Sequence, residues 1–215
     1  RLGLQFHRGI TPASLPTGLR PLSEQLRAAG YYTSNRSKED YNFAKSPATW
    51  DDSSKNGHWR NRPDPAMPFF HMQSHSQSHE SSLHFDRSLT ETEKTDHDPA
   101  AVTLPPYFPD TPLFRYTYAR YLDRIRLIDD IVGETIAKLR EDGLLEDTFV
   151  FYFGDHGGVL PRSKGYLYEG GLHVPLVVRV PEKWKHLVDL ERGSEQPGFV
   201  GFIDFAPTVL HTTAH

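Results

Sequence analysis

The chain has 215 residues, a formal net charge of −4, 17 prolines, 16 glycines and no cysteine. This length accommodates one substantial core. The small negative charge, without a basic stripe, gives no reason to expect nucleic acid as a partner. No apolar run approaches the ~20 residues that a membrane-spanning helix needs, and the absence of cysteine excludes disulfides and thiolate metal sites within these residues.

The N-terminal half predicts a helix followed by two strands. Residues 21–29 have apolar side chains at helical spacing, and Gly30 follows where a left-handed C-terminal cap is expected. Residues 31–34 indicate a short strand, and 67–73 a second strand with proline near its start. The polar stretch 35–66 between them predicts an ordered, irregular loop.

A tract rich in serine, glutamine and histidine follows the second strand. It contains His71, His75, His79 and His84, and the spacing of four residues between the first three would align imidazoles on a helix face as a zinc site. The serine and glutamine spacers and the preceding strand argue against a continuous helix, so zinc binding is the weaker hypothesis here.

The C-terminal half predicts alternating helices and strands. After a charged and proline-rich loop over 86–112, residues 113–142 carry apolar side chains with a 3.6-residue period and predict a long helix that ends at Gly143. Further segments are predicted as strands at 149–153, 174–180 and 199–203 and as a helix at 206–212. Such alternation indicates an α/β sandwich around a largely parallel sheet.

The segment FVFYFGDHGGVLPRSKGYLYEGG carries the chemistry of the chain. Asp155 and His156 directly follow an apolar strand, and Lys164 lies nine residues beyond Asp155. Ligands of open α/β sheets bind at the carboxyl ends of strands. An Asp-His pair at such an end predicts a divalent-metal site, and the nearby cations predict an oxyanion bound beside it. The structural alternative is an ordinary strand-end turn followed by a surface lysine.

Five blocks in order, GYYTSNRSKEDYN, PFF with SHES, GDHGG, RSKGYLYEGGLHVPLVV and FIDFAPTVL, resemble the type I sulfatase family of the alkaline-phosphatase-like superfamily. The resemblance extends from about residue 16 to 210, and it is greatest to bacterial sulfatases of the heparan N-sulfatase and arylsulfatase type. It implies a three-layer α/β sandwich, with a mostly parallel sheet and helices on both faces, truncated at both ends.

The resemblance assigns roles to individual residues. Asp155 and His156 correspond to half of a calcium site, although many members have asparagine at the histidine position, so Mg²⁺ or another divalent ion stays open. Lys164 corresponds to the lysine that contacts the sulfate and leaving-group oxygens. His79 corresponds to the histidine that protonates the leaving alcohol, with His75 and His84 as competitors. Lys38 matches the lysine of a Gly-Lys-x-His element.

Two parts of the family pattern are missing. Asp40 stands where the Gly-Lys-x-His element has its histidine, which puts the base of that element in doubt. No serine here lies in the Cys/Ser-x-Pro/Ala-x-Arg motif that is converted to formylglycine. Together with a start at Arg1 and an end at His215, this predicts an internal fragment. Residues 1–215 would be the central and C-terminal part of a sulfatase catalytic domain, without its nucleophile region and C-terminal subdomain.

The resemblance therefore implies hydrolysis of a sulfate ester or sulfamate, on a small molecule or a glycan, by the longer parent protein. The parent would be exported and would need a formylglycine-generating enzyme as a partner, whereas the 215 residues alone would be inactive. Two alternatives stay open: a phosphodiesterase or phosphonate hydrolase of the same superfamily, and a non-catalytic protein that binds sulfated glycans.

Overall fold

The computed structural model describes residues 14–213, which form two compact units. One unit contains the described residues up to Ser74 together with those from Glu195, and the other spans His75–Ser194. The expectations drawn from Arg1 and His215 concern residues outside the described range. The helices are α1 (Leu22–Ala28), α2 (Leu89–Thr92), α3 (Pro112–Glu141), α4 (Glu169–Leu172) and α5 (Phe205–Thr212). The strands are β1 (Tyr32–Arg36), β2 (Asp52–Ser53), β3 (Phe69–Gln73), β4 (Val150–Phe153) and β5 (Leu176–Arg179).

The first unit is built on a parallel sheet in the order β2-β1-β3. Tyr32 pairs with Phe69 at one end of the β1–β3 ladder, and Arg36 pairs with Gln73 at the other. Helix α1 contacts the central strand, and Leu26 on its inner face is buried. Only three residues separate α1 from β1, and Gly30 allows this short connection because it adopts a positive φ of 91°.

The second unit combines the long helix α3 with an antiparallel pair, β4 and β5. The hydroxyl oxygen of Thr111 accepts a hydrogen bond from the Phe114 amide at 3.2 Å, and Pro112 occupies the first turn, where no amide donor is needed. Gly143, with a φ of 70°, follows the end of the helix. Buried side chains on the inner face of α3 are Tyr116, Ala119, Ile128 and Leu139.

The predicted α/β class is confirmed, and most predicted elements are present within one or two residues of their expected bounds. Two predictions need correction, in addition to the loop predicted over 86–112, which contains the short helix α2. Residues 199–203 do not form a strand: Phe202–Asp204 is a 3-10 helix, and the Asp204 carboxylate accepts the Gly201 amide at 2.9 Å, which bends the chain. The loop predicted over 35–66 contains the short strand β2, whose Ser53 pairs with Asn35.

Between residues 14 and 213, none of the helices has both the length and the apolar composition required to cross a bilayer. Helix α3 has 30 residues, but charged side chains recur along its exposed face.

Candidate active site

The turn that follows β4 presents Asp155 and His156 to solvent. Strand β4 ends at Phe153, and the Gly154 amide donates to the Pro175 carbonyl at 3.0 Å, which extends the pairing with the β5 side by one residue. The side chain of Asp155 is 64% exposed and that of His156 is 39% exposed. Both donor groups are therefore accessible to an ion from solution.

The imidazole of His156 has an identifiable tautomer. Its Nδ1 lies 3.2 Å from the carbonyl oxygen of Gly157, which can only accept, so Nδ1 carries a proton. In neutral histidine Nε2 is then an acceptor, and it lies 3.2 Å from Oδ2 of Asp155. A proton on Nε2, which would make this contact an ion pair, or a cation shared by the two atoms satisfies both groups at this distance.

Glycines let the GDHGG turn lie directly against the loop that carries Lys164. Gly157 has a φ of 81°, and a Cβ at this position would lie 2.1 Å from the carbonyl oxygen of Gly170. A Cβ at Gly171 would lie 2.4 Å from the carbonyl oxygen of Tyr166. The Lys164 amide donates to the Gly158 carbonyl at 2.9 Å. The Asp155-His156 turn and the loop that carries Lys164 thus form one packed double loop.

Lys164 also contacts the Ser-His-Glu-Ser segment, 84 residues earlier in the chain. Its Nζ donates to Oε2 of Glu80 at 2.9 Å, with Lys164 partly buried. This hydrogen bond, with the attraction of the ammonium, lowers the pKa of Glu80 below its usual value. The sequence did not single out Glu80, because no local pattern reports so distant a contact; its position next to His79 was the available signal.

His79 precedes the 3-10 helix Glu80–Leu83 and caps it. Its Nδ1 accepts hydrogen bonds from the amide of Ser81, at 3.3 Å, and from the hydroxyl of the same residue, at 2.9 Å. A neutral imidazole that accepts at Nδ1 carries its proton on Nε2. The exposed ring of His79 is therefore oriented with Nε2 as its hydrogen-bond donor.

Lys38 lies in the first unit, two residues beyond the end of β1. Its backbone carbonyl accepts from the Asn35 side-chain amide at 3.1 Å, which fixes the turn, whereas its ammonium is exposed. Asn35 itself is buried and also donates to the Ser53 hydroxyl at 2.9 Å. The backbone at Lys38 is thus positioned by the sheet, while its role in binding an anion stays a prediction.

The histidine tract does not gather as a zinc site within the described residues. His71 lies in β3, with its Nδ1 at 2.8 Å from the Ser34 hydroxyl. His79 caps a 3-10 helix, as described above, and His84 ends the same helix. Across residues 14–213, no group of three histidine, aspartate or glutamate side chains is placed to hold a metal ion.

Comparison with known proteins connects this geometry to one family. A protein-family model described as Sulfatase matches residues 3–215. A protein of Formosa agariphila named ulvan-active sulfatase is 35% identical over 226 residues, covering 91% of this chain and 37% of that protein. Human N-sulphoglucosamine sulphohydrolase is 32% identical over 114 residues, covering 53% of this chain and 22% of that protein. Arylsulfatase K of Xenopus laevis is 30% identical over 86 residues, covering 38% and 15% respectively.

The chain therefore spans little more than a third of the length of the first of these relatives. The match of the family model covers nearly the whole chain, and it implies the α/β fold of the alkaline-phosphatase-like type that the sequence blocks predicted.

Proposed function

This chain belongs to the sulfatase family, and from that premise we propose that it is part of an enzyme that hydrolyses a sulfate ester or sulfamate on a glycan. Residues 1–215 would be the central and C-terminal part of its catalytic domain. The observation that carries the proposal is the Lys164–Glu80 contact at 2.9 Å, which joins the Ser-His-Glu-Ser segment to the loop packed on the Asp155-His156 turn. His79, Lys164 and the Asp155-His156 pair belong to this one unit.

We propose that Asp155 and His156 hold part of a divalent-metal site. The converging acceptors Oδ2 and Nε2, 3.2 Å apart, support a cation at this position. Calcium is the expected ion, with Mg²⁺ or another divalent ion as alternatives. Because Ca²⁺ takes six to eight ligands, mostly oxygen, the remaining ligands would come from outside this pair. When bound, such an ion supplies positive charge to a sulfate oxygen.

Lys164 would stabilise the charge that accumulates on the sulfate oxygens and on the bridging oxygen. Its ammonium has three donors, of which Glu80 occupies one and fixes the direction of the side chain. The other two are directed by that contact and would donate to the substrate. Preorganised donors of this kind supply a large share of catalysis in hydrolases. Lys38 lies in the other unit, and its role in binding the sulfate stays a prediction of the family resemblance.

His79 would protonate the leaving alcohol or amine from Nε2. The nucleophile would be the hydrate of a formylglycine, made by a formylglycine-generating enzyme from a cysteine or serine outside the 215 residues. Its hydroxyl oxygen would form a bond to sulfur as the bond from sulfur to the leaving group breaks. As the imidazolium, His79 would pass its Nε2 proton to the departing atom and become neutral, while the attacking hydroxyl would lose its proton to a base outside the 215 residues. The remaining hydroxyl of the hydrate would then re-form the aldehyde and expel sulfate, and water would restore the hydrate. Like other enzymes of this kind, the parent would be exported.

The test uses the complete protein that contains this chain, with ulvan oligosaccharides and N-sulphoglucosamine as substrates. Release of sulfate is expected. Lys164→Ala should lower kcat about 10²–10³-fold and His79→Asn about 10²–10⁴-fold, whereas Arg126→Gln on the exposed face of α3 should have no effect. His84→Asn serves as the matched histidine control, and a larger loss there than at His79 would reassign the proton donor.

Two other outcomes would favour the alternative functions. Hydrolysis of a phosphodiester or phosphonate without release of sulfate would favour the phosphodiesterase or phosphonate hydrolase. Binding of sulfated glycan without turnover of either substrate class would favour a non-catalytic binding protein. The residue in the nucleophile motif separates the same three functions. Cysteine or serine there predicts the sulfatase, and threonine predicts the phosphodiesterase or phosphonate hydrolase. The absence of any nucleophile predicts the non-catalytic binding protein.

A further inference from the structure

A cluster of exposed tyrosines surrounds Arg162, two residues before Lys164. The guanidinium carbon of Arg162 lies 4.9 Å from the ring centre of Tyr107 and 5.1 Å from that of Tyr168. These rings are 47% and 50% exposed, so solvent reaches the cluster from outside. Tyr166, 60% exposed, adds a third ring with its centre 6.4 Å from that of Tyr168. Aromatic and cationic surfaces are therefore presented together.

The charge of Arg162 has no carboxylate partner among the described residues. Throughout residues 14–213 its guanidinium takes part in no ion pair, in contrast to Lys164, which is paired with Glu80. Contact with aromatic rings uses the flat faces of a guanidinium and leaves the N–H groups at its edge available. Those N–H groups are suited to a bidentate contact with a planar or tetrahedral oxyanion.

The backbone holds Arg162 in an uncommon conformation. Its φ is 65°, a value that few residues other than glycine adopt. The next residue, Ser163, donates from its amide to the Leu160 carbonyl at 3.2 Å, and Lys164 is bonded to Gly158, so the turn is fixed on both sides. A turn that only reversed the chain direction would favour glycine at this position.

We propose that Arg162, Tyr107 and Tyr168 form a subsite for an anionic sugar residue next to the one that carries the reacting sulfate. The C–H face of the sugar ring would pack on the tyrosines, as apolar surface does on aromatic rings. The carboxylate or second sulfate of that sugar would accept from the guanidinium edge. This inference rests on the proposed function, because the position of the reacting sulfate is set by Lys164.

The test is the affinity of the complete protein that contains this chain, with its nucleophile residue replaced by alanine so that no turnover occurs, for tetrasaccharides prepared from ulvan and from heparin, measured by calorimetry. Arg162→Gln should weaken binding about tenfold, the loss expected for a charged, bidentate hydrogen bond. Arg162→Lys keeps the positive charge but loses the pair of parallel N–H groups of the guanidinium, and it should also weaken binding. Arg126→Gln removes an equal charge from α3 and should leave the affinity within about twofold of the unsubstituted chain.

The aromatic part of the subsite has its own matched pair of substitutions. Tyr168→Phe keeps the ring and should preserve the affinity, whereas Tyr168→Ala should weaken it several-fold. Desulfated and carboxyl-reduced tetrasaccharides identify the anion that Arg162 binds. If Arg162→Gln no longer weakens the binding of one of these modified tetrasaccharides, the group missing from that tetrasaccharide is the one that the guanidinium contacts.

Equal affinity of Arg162→Gln and the unsubstituted chain would overturn the subsite, as would failure of the unsubstituted chain to bind any tetrasaccharide. The outcome is separable from that of the proposed function because it is measured without turnover. Sulfate release by the complete protein together with unchanged binding by Arg162→Gln would remove the subsite and leave the sulfatase activity standing. Binding that depends on Arg162, without release of sulfate by the complete protein, would support the subsite and contradict the sulfatase activity.

Discussion

His71 is the clearest case of a side chain whose ionisation is set by its surroundings. In β3 its Nδ1 lies 2.8 Å from the Ser34 hydroxyl, its Nε2 is buried, and its ring packs edge-on against Trp59 at 5.4 Å. Burial, reinforced by the nearby His58, lowers the pKa of His71 to about 4. The imidazole is therefore neutral in the folded chain at pH values where an exposed histidine is charged.

This shift predicts a loss of stability in mild acid. The ordinary histidine pKa is 6.5, so between pH 6.5 and about 4 the unfolded chain binds a proton at His71 that the folded chain does not. Stability therefore rises with pH across this window and falls as the pH is lowered. The contribution of His71 is on the order of 2–3 kcal/mol between pH 7 and 4, measurable by urea unfolding followed by tryptophan fluorescence.

The readout for His71 is the slope of unfolding free energy against pH. His71→Asn should flatten this slope whatever its effect at pH 7, and His186→Asn, which removes an exposed histidine, should leave the slope unchanged. Equal slopes for His71→Asn and the unsubstituted chain would contradict the assignment.

Glu80 is predicted to act by positioning Lys164. Without the acceptor at 2.9 Å, the lysine side chain gains rotamer freedom and loses its fixed direction. Glu80→Ala should lower kcat for sulfate release by the complete protein about tenfold, whereas Glu80→Gln, whose amide oxygen still accepts, should lower it less. In a Lys164→Ala background, Glu80→Ala should have no further effect. Independent, additive losses would show that Glu80 acts elsewhere.

At the scale of elements, regular periodicity was predictable from the sequence and loop contacts were not. The 3.6-residue period of α3 and the apolar runs of β4 and β5 depend on neighbouring residues, so local pattern located them. Residues 199–203 have the same apolar character as a strand, but in the structure an Asp204 side-chain contact replaces strand pairing. Asp155, His156 and Lys164 were singled out by their position after a strand and His79 by the family blocks, and their roles stay predictions. The contacts of Glu80 with Lys164 and of Arg162 with Tyr107 are visible only in the folded chain, because the partners are distant in sequence.

Glycines in the double loop differ in how much space an added side chain would have, which predicts that their substitution by alanine destabilises the chain to different degrees. Gly157 and Gly165 have φ values of 81° and 84°, but of these two only Gly157 would bring a Cβ into collision with backbone, 2.1 Å from the carbonyl oxygen of Gly170. Gly165→Ala should cost about 1–2 kcal/mol of unfolding free energy, from backbone strain alone. Gly157→Ala should lower the free energy of unfolding by about 1–3 kcal/mol more, because the GDHGG turn must move away from the backbone at Gly170.

Gly133 in α3 gives the opposite control. Among the residues that the structure describes, no heavy atom outside the backbone of the helix itself lies within 4 Å of the point that an alanine Cβ would occupy here. The backbone is helical at this position. Gly133→Ala should therefore stabilise the chain by about 0.5–1 kcal/mol. Urea unfolding of the three variants checks the predicted order of stability, in which Gly133→Ala is the most stable and Gly157→Ala the least. A Gly157→Ala variant as stable as Gly165→Ala would contradict the close packing of the GDHGG turn on the loop that carries Lys164.

At the scale of the whole molecule, the chain contains the groups that would bind sulfate and protonate the leaving group, but it has no cysteine from which formylglycine could be made. None of its serines lies in the motif that the modification requires. The Asp155-His156 pair supplies two donor atoms, fewer than a calcium site needs. Under the proposed formylglycine mechanism, substrate binding and bond cleavage would therefore separate: the Lys164 loop would bind the anion, whereas cleavage would require a nucleophile from outside the 215 residues.

This separation predicts that the purified 215-residue chain does not turn over an aryl sulfate. Release of nitrophenol from 4-nitrophenyl sulfate, with and without millimolar Ca²⁺, should equal that of the Lys164→Ala chain, because without a nucleophile the stabilising cation has no reaction to accelerate. The complete protein assayed in parallel should release nitrophenol, and its Lys164→Ala variant should not. Multiple turnovers by the 215-residue chain that are lost in its Lys164→Ala variant would place a nucleophile within these residues and contradict the formylglycine proposal.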